Sequence, residues 1–188
     1  MLRRRLVLGT LVAAVAACGA DRPAWIAPSR PCPGALRPVW TADPSYTICV
    51  VTSFRTRDLR TWRRERPGSP DDVFTVLVGV GPAQIALTGG WPPRLLVPSG
   101  SGTNAAAAGT VITRTDTVAG GIAQTEVGGR PGAASGGAPI LRFVSGLRTP
   151  DGRHVIADGL SASSATLDTL LLMFGTLARS PVPDPNRR

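Results

Sequence analysis

The side chains in this sequence best suited to covalent or acid–base chemistry are three thiols and one imidazole: Cys18, Cys32, Cys49 and His154. A nucleophilic thiol such as Cys49 needs a base within reach, and His154 is the one histidine available to it. A zinc site would need a CxxC pair or a Cys/His cluster, and the cysteine spacing provides neither. The chain also lacks G-x-S-x-G, H-E-x-x-H and P-loop patterns, and S-x-x-K is impossible because there is no lysine. The Gly-rich "VPSGSGTN" lacks the spacing of a phosphate loop. Glutamate occurs at Glu65 and Glu126 alone, so a glycosidase pair would have to come from aspartates, and no such pair stands out. The expectation is therefore no catalytic residue, no metal and no cofactor.

Two groups of polar residues remain as candidate surfaces. The stretch "FRTRDLRTWRRERPG" (54–68) concentrates six arginines around one tryptophan. Its composition fits a helical turn or a long loop. Arg57, Arg60, Trp62, Arg63 and Arg64 would form a cationic, aromatic patch suited to anionic headgroups or an anionic polymer. The plainer alternative is a solvated connection with Arg57, Asp58, Arg64 and Glu65 in local pairs. The second group is Arg142, Arg148, His154 and Asp158, which share one face of a hairpin. It is either a polar groove or an ordinary exposed hairpin face with cross-strand pairs.

The formal charge is +9, and every basic side chain except His154 is an arginine. Nucleic-acid binding would want those arginines interleaved with stacking aromatics, yet aromatics make up only 5% of the chain. Coding bias in a GC-rich genome explains Arg without Lys, so nucleic acid is not an expected partner.

Residues 1–17 combine Arg3-Arg4-Arg5 with the apolar run "LVLGTLVAAVAA". Twelve residues make a helix of about 18 Å, against a bilayer core of about 30 Å. That is the core of an export signal, too short to span. The consecutive arginines also fit loosely a twin-arginine route beside the general secretory one. The tetrad Val15-Ala16-Ala17-Cys18 resembles the lipobox of bacterial lipoproteins. That resemblance implies cleavage after Ala17 and a diacylglyceryl group, with palmitate-type chains, on the Cys18 thiol. Two acyl chains suffice for stable membrane attachment. Loss of residues 1–17 removes three arginines and no acid, taking the charge from +9 to +6. With Cys18 given to lipid, Cys32 and Cys49 form an even pair in an oxidising compartment, where a disulfide is expected.

The organisation expected is a signal peptide (1–17), a Pro-rich tether (18–38), one extracytoplasmic domain (39–179) and a disordered tail (180–188). Gly and Pro, 22 and 18 residues, imply many turns. "PSGSGTNAAAAG" (98–109) reads as a flexible loop. Strands are expected over 45–54, 72–81, 83–89 and 94–99. A hairpin over 108–129 would turn at Gly120-Gly121, pairing Val118 with Ala123, and would lie at a sheet edge. A second hairpin, over 138–162, turns at Pro150-Asp151-Gly152 and pairs Arg148 with His154 and Val144 with Asp158. It places Leu141, Phe143, Leu147, Val155 and Ala157 on the core face. Leu167, Leu170, Leu171, Phe174 and Leu177 repeat at helical spacing, with Ser163 or Ser164 as cap, Asp168 early and Arg179 late.

The fold class is α+β, a mainly antiparallel sheet packed against one C-terminal helix. The ending, strand–turn–strand–helix, resembles that of Mog1/PsbP-like domains. Three functions fit: a non-enzymatic envelope module that binds a protein or an anionic wall or lipid polymer; a lipid-anchored carrier of an apolar ligand between helix and sheet; and an envelope hydrolase. A filled core with an arginine patch around Trp62 would favour the first, an apolar cavity under Leu167–Leu177 the second, and a free Cys49 thiol or a buried polar cluster at His154 the third.

Overall fold

The computed structural model describes residues 30–95, 111–130 and 139–180. The signal segment, Cys18, most of the tether, the 98–109 loop and the last eight residues lie outside the described residues.

Two antiparallel sheets and one long helix share a core. The smaller sheet has the order β1-β2-β10, from Leu36–Trp40, Tyr46–Val51 and Ala178–Arg179. The larger has the order β3-β4-β5-β9-β8-β7-β6, with β3 Arg55–Thr56, β4 Thr61–Arg64, β5 Asp72–Val78, β6 Ile112–Val118, β7 Gly121–Arg130, β8 Ile140–Arg148 and β9 His154–Ser161. Helix α2, Ser164–Gly175, follows β9, and a short helix α1, Pro82–Leu87, follows β5. The α+β architecture read from the sequence is therefore present, with a second small sheet that the sequence reading did not separate.

The β8–β9 hairpin has the expected register: Arg148 pairs with His154 and Val144 with Asp158. Its inward face carries Phe143, Leu147, Val155 and Ala157, all buried. Packing on that face is close. A Cβ on Gly159 would overlap the ring of Phe143, which is fully buried and has no room to retreat. Gly159→Ala is expected to cost about 1–3 kcal/mol by overpacking, read as a lower chemical-denaturation midpoint at unchanged slope.

Helix α2 starts where the Ser163 hydroxyl accepts from the Thr166 amide at 3.4 Å, filling one of the unpaired N-terminal donors. Leu167, Leu170, Leu171, Met173 and Phe174 are buried against both sheets. The expected charge pattern does not hold: the helix ends at Gly175, and Arg179 sits beyond it in β10, paired with Tyr46.

Four further expectations are corrected. Residues 83–89 are not a strand; α1 occupies Pro82–Leu87, with Pro82 in the first turn and the Gln84 side chain accepting from the Gly81 amide at 3.4 Å. Arg94 and Leu95, the described part of 94–99, are not in a strand either. The stretch 54–68 is neither helix nor long loop, since β3 and β4 form a small hairpin there. Finally, the folded unit begins before residue 39. Leu36, Arg37 and Pro38 belong to β1, and Pro38 pairs with Cys49 on an edge strand where its missing N–H costs no ladder bond.

The β6–β7 hairpin has the expected faces but a register displaced by two. Val118 pairs with Gly121 and Asp116 with Ala123, closing on a loop of Ala119 and Gly120 at φ 50° and 77°. Gly121 serves a different need: a Cβ there would collide with the Arg148 carbonyl and Leu147 on the neighbouring strand.

Candidate functional site

The β3–β4 hairpin forms the wall of an open polar groove of about 980 Å³. Its turn is organised by Asp58. The carboxylate accepts from the amides of Thr61 at 2.8 Å and Arg60 at 2.9 Å, and from the Thr56 hydroxyl. Partial burial opposes its charge, yet the Thr61 and Arg60 amides and the Thr56 hydroxyl hold the Asp58 carboxyl below its usual range. Asp58 thus spends its negative charge on the turn itself.

Alternation along β4 separates the residues singled out from the sequence. Trp62 faces inward and is fully buried, stacking at a tilt on Phe74 with ring centroids 5.8 Å apart. It is a core residue and is not available to a surface ligand, which corrects the expected cationic–aromatic patch. Arg64 points the same way. Its guanidinium bonds Asp72 through Nε at 2.9 Å and the Thr166 hydroxyl at 3.0 Å, and lies over the Phe54 ring. Arg57, Arg60 and Arg63 are exposed and enter none of the salt bridges among the described residues. Arg55, missed by the sequence reading, also lines the groove and donates to the Thr52 carbonyl. Glu65 and Asp71 line it too; no salt bridge forms among Arg57, Asp58, Arg64 and Glu65, the residues of the plainer alternative.

The carboxylate of Asp72 is the anchor beneath this hairpin. It is wholly buried, takes the Arg64 pair, accepts from the Ser161 hydroxyl at 2.6 Å and has Arg66 at 3.6 Å. One side chain thereby ties β4, β5 and the β9–α2 junction. Nothing in the "DD" at 71–72 distinguishes it; only the β4–β5 register, Arg64 opposite Asp72, does.

The second candidate group lies on the outer face of β8–β9. Arg142 and Asp158 form a bidentate pair, which raises the Arg142 pKa through the hydrogen bond and charge of Asp158 against the opposing effect of burial. His154 is half-buried and meets the Trp91 ring edge-on at 4.5 Å, while Arg148 is exposed. The face is covered by α1 and the segment that follows it: Val80, Val144 and Ile156 pack with Leu77, Ile85 and Leu95. Glu126 holds this segment, pairing with Arg94 and accepting from the Leu95 amide at 2.8 Å. Burial raises the Glu126 pKa, but these two donors outweigh it and hold the carboxyl below its usual range. Arg142 and Asp158 are brought together as an ordinary cross-strand pair, and His154 packs edge-on against Trp91.

Cys32 and Cys49 form a disulfide, with Cα atoms 5.8 Å apart. That removes the Cys49 thiol as a nucleophile. Among the described residues the space between α2 and the sheets is occupied by Leu167, Leu170, Met173, Phe174 and Leu177, packed on Phe143, itself 6.5 Å from Phe174 ring to ring. The groove of about 420 Å³ between α2 and β6 is open and carries Arg114, Asp116 and Asp168 beside Leu171 and Phe174, unlike the apolar cavity the carrier reading calls for. Among the described residues no three metal-ligating side chains cluster, and no helix is long and apolar enough to cross a membrane.

Fold and surface together define an antiparallel α+β domain with an arginine-rich hairpin at one sheet edge. The sequence matches no protein family and no curated protein. Among solved structures it is similar to LpqN of Mycobacterium tuberculosis, described as involved in cell envelope biogenesis: 14% identity, 78% of this chain and 91% of that one covered, TM-score 0.45. It is also similar to the Ran-binding protein Mog1p of Saccharomyces cerevisiae: 11% identity, 76% and 94% covered, TM-score 0.39. Both are distant likenesses of shape.

Proposed function

We propose that this chain is an extracytoplasmic lipoprotein, anchored through Cys18, whose domain is a non-enzymatic envelope module that binds an anionic ligand. The ligand class is a phosphate-bearing lipid headgroup or wall polymer. The observation that carries the reading is the set Arg57, Arg60 and Arg63: three exposed guanidinium groups on one hairpin, none held in an ion pair among the described residues. Arg57 and Arg63 line the groove of about 980 Å³. Trp62 supports the hairpin from below and does not contact the ligand; Arg64 also lines the groove, but its guanidinium is committed to Asp72 and the Thr166 hydroxyl. The tetrad Val15-Ala16-Ala17-Cys18 supports the anchor.

The test has two arms. Cell fractionation and intact mass compare wild type with Cys18→Ser. Wild type is expected in the membrane fraction with added acyl mass, and the variant without it; a variant still membrane-bound at unchanged processed mass refutes the anchor. For the groove, residues 18–188 carrying Cys18→Ser are sedimented with vesicles of phosphatidylglycerol or phosphatidylcholine. Replacing Arg57, Arg60 and Arg63 with Gln is expected to remove about 1 kcal/mol per arginine, over a hundredfold in affinity. Binding should weaken with salt. Equal binding to both vesicles, or an unchanged triple variant, sinks the groove reading.

A further inference from the structure

The seven-stranded sheet ends in two edges, β3 and β6. The arginine hairpin occupies the first; β6 is the longer and the barer. Residues Ile112 to Thr117 are all exposed, Ile112 at 61%, and no described strand pairs with the outer side of β6. A long exposed edge is an open template for another strand.

The sequence of β6 is Ile112-Thr113-Arg114-Thr115-Asp116-Thr117-Val118. Read about Thr115 it is a chemical palindrome. We infer that β6 is a homodimerisation edge, pairing antiparallel with β6 of a second copy about a two-fold axis at Thr115. In that register Arg114 of each copy lies opposite Asp116 of the other. Thr113 meets Thr117, and Ile112 meets Val118.

The backbone is set for this register. The two-residue loop makes Val118 and Gly121 a hydrogen-bonded pair. Strand alternation then turns the main-chain groups of Ile112, Arg114, Asp116 and Val118 toward β7, and those of Thr113, Thr115 and Thr117 outward. An axis at Thr115 uses all three outward residues of each copy. Arg114 and Asp116 fall in the non-hydrogen-bonded pairs, where side chains approach most closely.

The charges also exclude the alternatives. A slip of two residues one way sets Arg114 against its own copy, and the other way sets Asp116 against its own copy. Parallel in-register pairing does both. Like charges directly opposite are destabilising, so one arrangement is selected partly by what the others cost. Within one chain Arg114 Nε and Asp116 Oδ2 are already 3.1 Å apart on the same face. Pairing would complete a ring of four alternating charges. That face looks onto an open groove of about 420 Å³ beside α2, where Leu172 is half exposed. The two-fold places the matching groove of the second copy alongside it, and both arginine hairpins stay at the far ends of the joined sheet.

The test is light scattering and sedimentation of the full chain extracted in detergent, over a dilution series. Wild type is expected at twice the protein mass of one chain, dissociating on dilution. Arg114→Asp alone leaves two acids on each edge, and Asp116→Arg alone leaves two arginines; each variant is expected to be monomeric with an unchanged circular dichroism spectrum. Mixing the two variants should restore the double mass as a heterodimer, and the exchange Arg114→Asp with Asp116→Arg in one chain should restore the homodimer. Thr115→Pro removes the central outward N–H from an edge position that tolerates proline and should also yield monomer. A wild type that is monomeric at every concentration, as when residues 96–110 or another protein cover this edge, overturns the inference. So does a dimer that survives either single charge reversal, or a mixture that fails to associate. Failure of the groove reading in the vesicle assay leaves these outcomes untouched, because that assay tests the opposite edge.

Discussion

Replacing Arg64 with Met is expected to destabilise the domain by about 3–5 kcal/mol, more than replacing its partner Asp72 with Asn. The asymmetry follows from where each group sits. The Asp72 carboxylate is wholly buried, whereas the Arg64 side chain keeps 30% of its surface in water. Without Arg64, the carboxylate retains the Ser161 hydroxyl at 2.6 Å and a distant Arg66 at 3.6 Å. An uncompensated buried charge is the expensive outcome of breaking such a pair. Without the Asp72 charge, Arg64 can turn outward, and the loss is limited to hydrogen bonds left imperfect at Ser161 and Thr166, about 1–3 kcal/mol. The double variant should be milder than the sum of the two, since neither charge is then stranded. Urea unfolding at constant slope measures all three. Equal costs for the two single variants, or a cost below 1 kcal/mol for Arg64→Met, would show that the network is not what holds β4 to β5 and α2. The same reasoning governs the choice of variants for ligand binding. Arg64 lines the groove as well, yet its loss would act through folding, so binding is tested at Arg57 and Arg63 of the groove wall and at Arg60, exposed on the same hairpin.

That distinction was not visible in the linear sequence, and the reason is specific. "RTWRRERP" has the composition of a solvated connection, and the density of arginine hides a four-residue strand. Once Thr61–Arg64 is a strand, period two puts Trp62 and Arg64 on one face and Arg63 on the other. Sequence reasoning grouped by proximity what the pleat separates. The β8–β9 hairpin was legible to the residue because Pro150-Asp151-Gly152 admits one turn. Beyond that, Asp151 ties the turn to the small sheet: its carboxylate accepts from Thr149 and, at 2.8 Å, from the Tyr46 hydroxyl. The Thr149 bond leads in holding its pKa down, against some burial and with help from Tyr46. In the β6–β7 hairpin two consecutive glycines left two possible loops. The structure uses Ala119-Gly120 and spends Gly121 on a close approach to β8, a tertiary requirement that local turn chemistry cannot reveal. Because the displacement is by two, every side chain kept its face. The error at 83–89 was one of period: six residues of Pro-Ala-Gln-Ile-Ala-Leu are too few for apolar spacing to separate helix from strand, and the N-terminal proline was the better signal.

Cys32→Ser is expected to lower stability by about 3 kcal/mol, the loop-closure contribution for residues 17 apart in sequence. The variant is chosen over Cys49 because Cys49 is fully buried in β2, and leaving its thiol in place avoids a cavity. The loss should be matched by reduction of the wild type and absent when the variant itself is treated with reductant. What the bridge holds explains its position. It fastens the chain just before β1, an edge strand whose Pro38 cannot donate to the ladder. Beside it the Arg30 guanidinium reaches the Thr47 hydroxyl at 2.7 Å and the Thr176 carbonyl past the end of α2, and the Thr176 hydroxyl accepts from the Cys49 amide at 2.9 Å. Three separate parts of the chain meet there: the segment leading from Cys18, the middle of β2 and the end of α2. If Cys18 carries the lipid, any pull between membrane and domain enters at this junction. Hydrogen exchange should locate the consequence. In Cys32→Ser the amides of β1 are expected to lose protection first, while β8 and β9, in the middle of the large sheet, keep theirs. Uniform loss of protection across both sheets would mean that the bridge supports the whole fold and is not a local fastening of the anchored end.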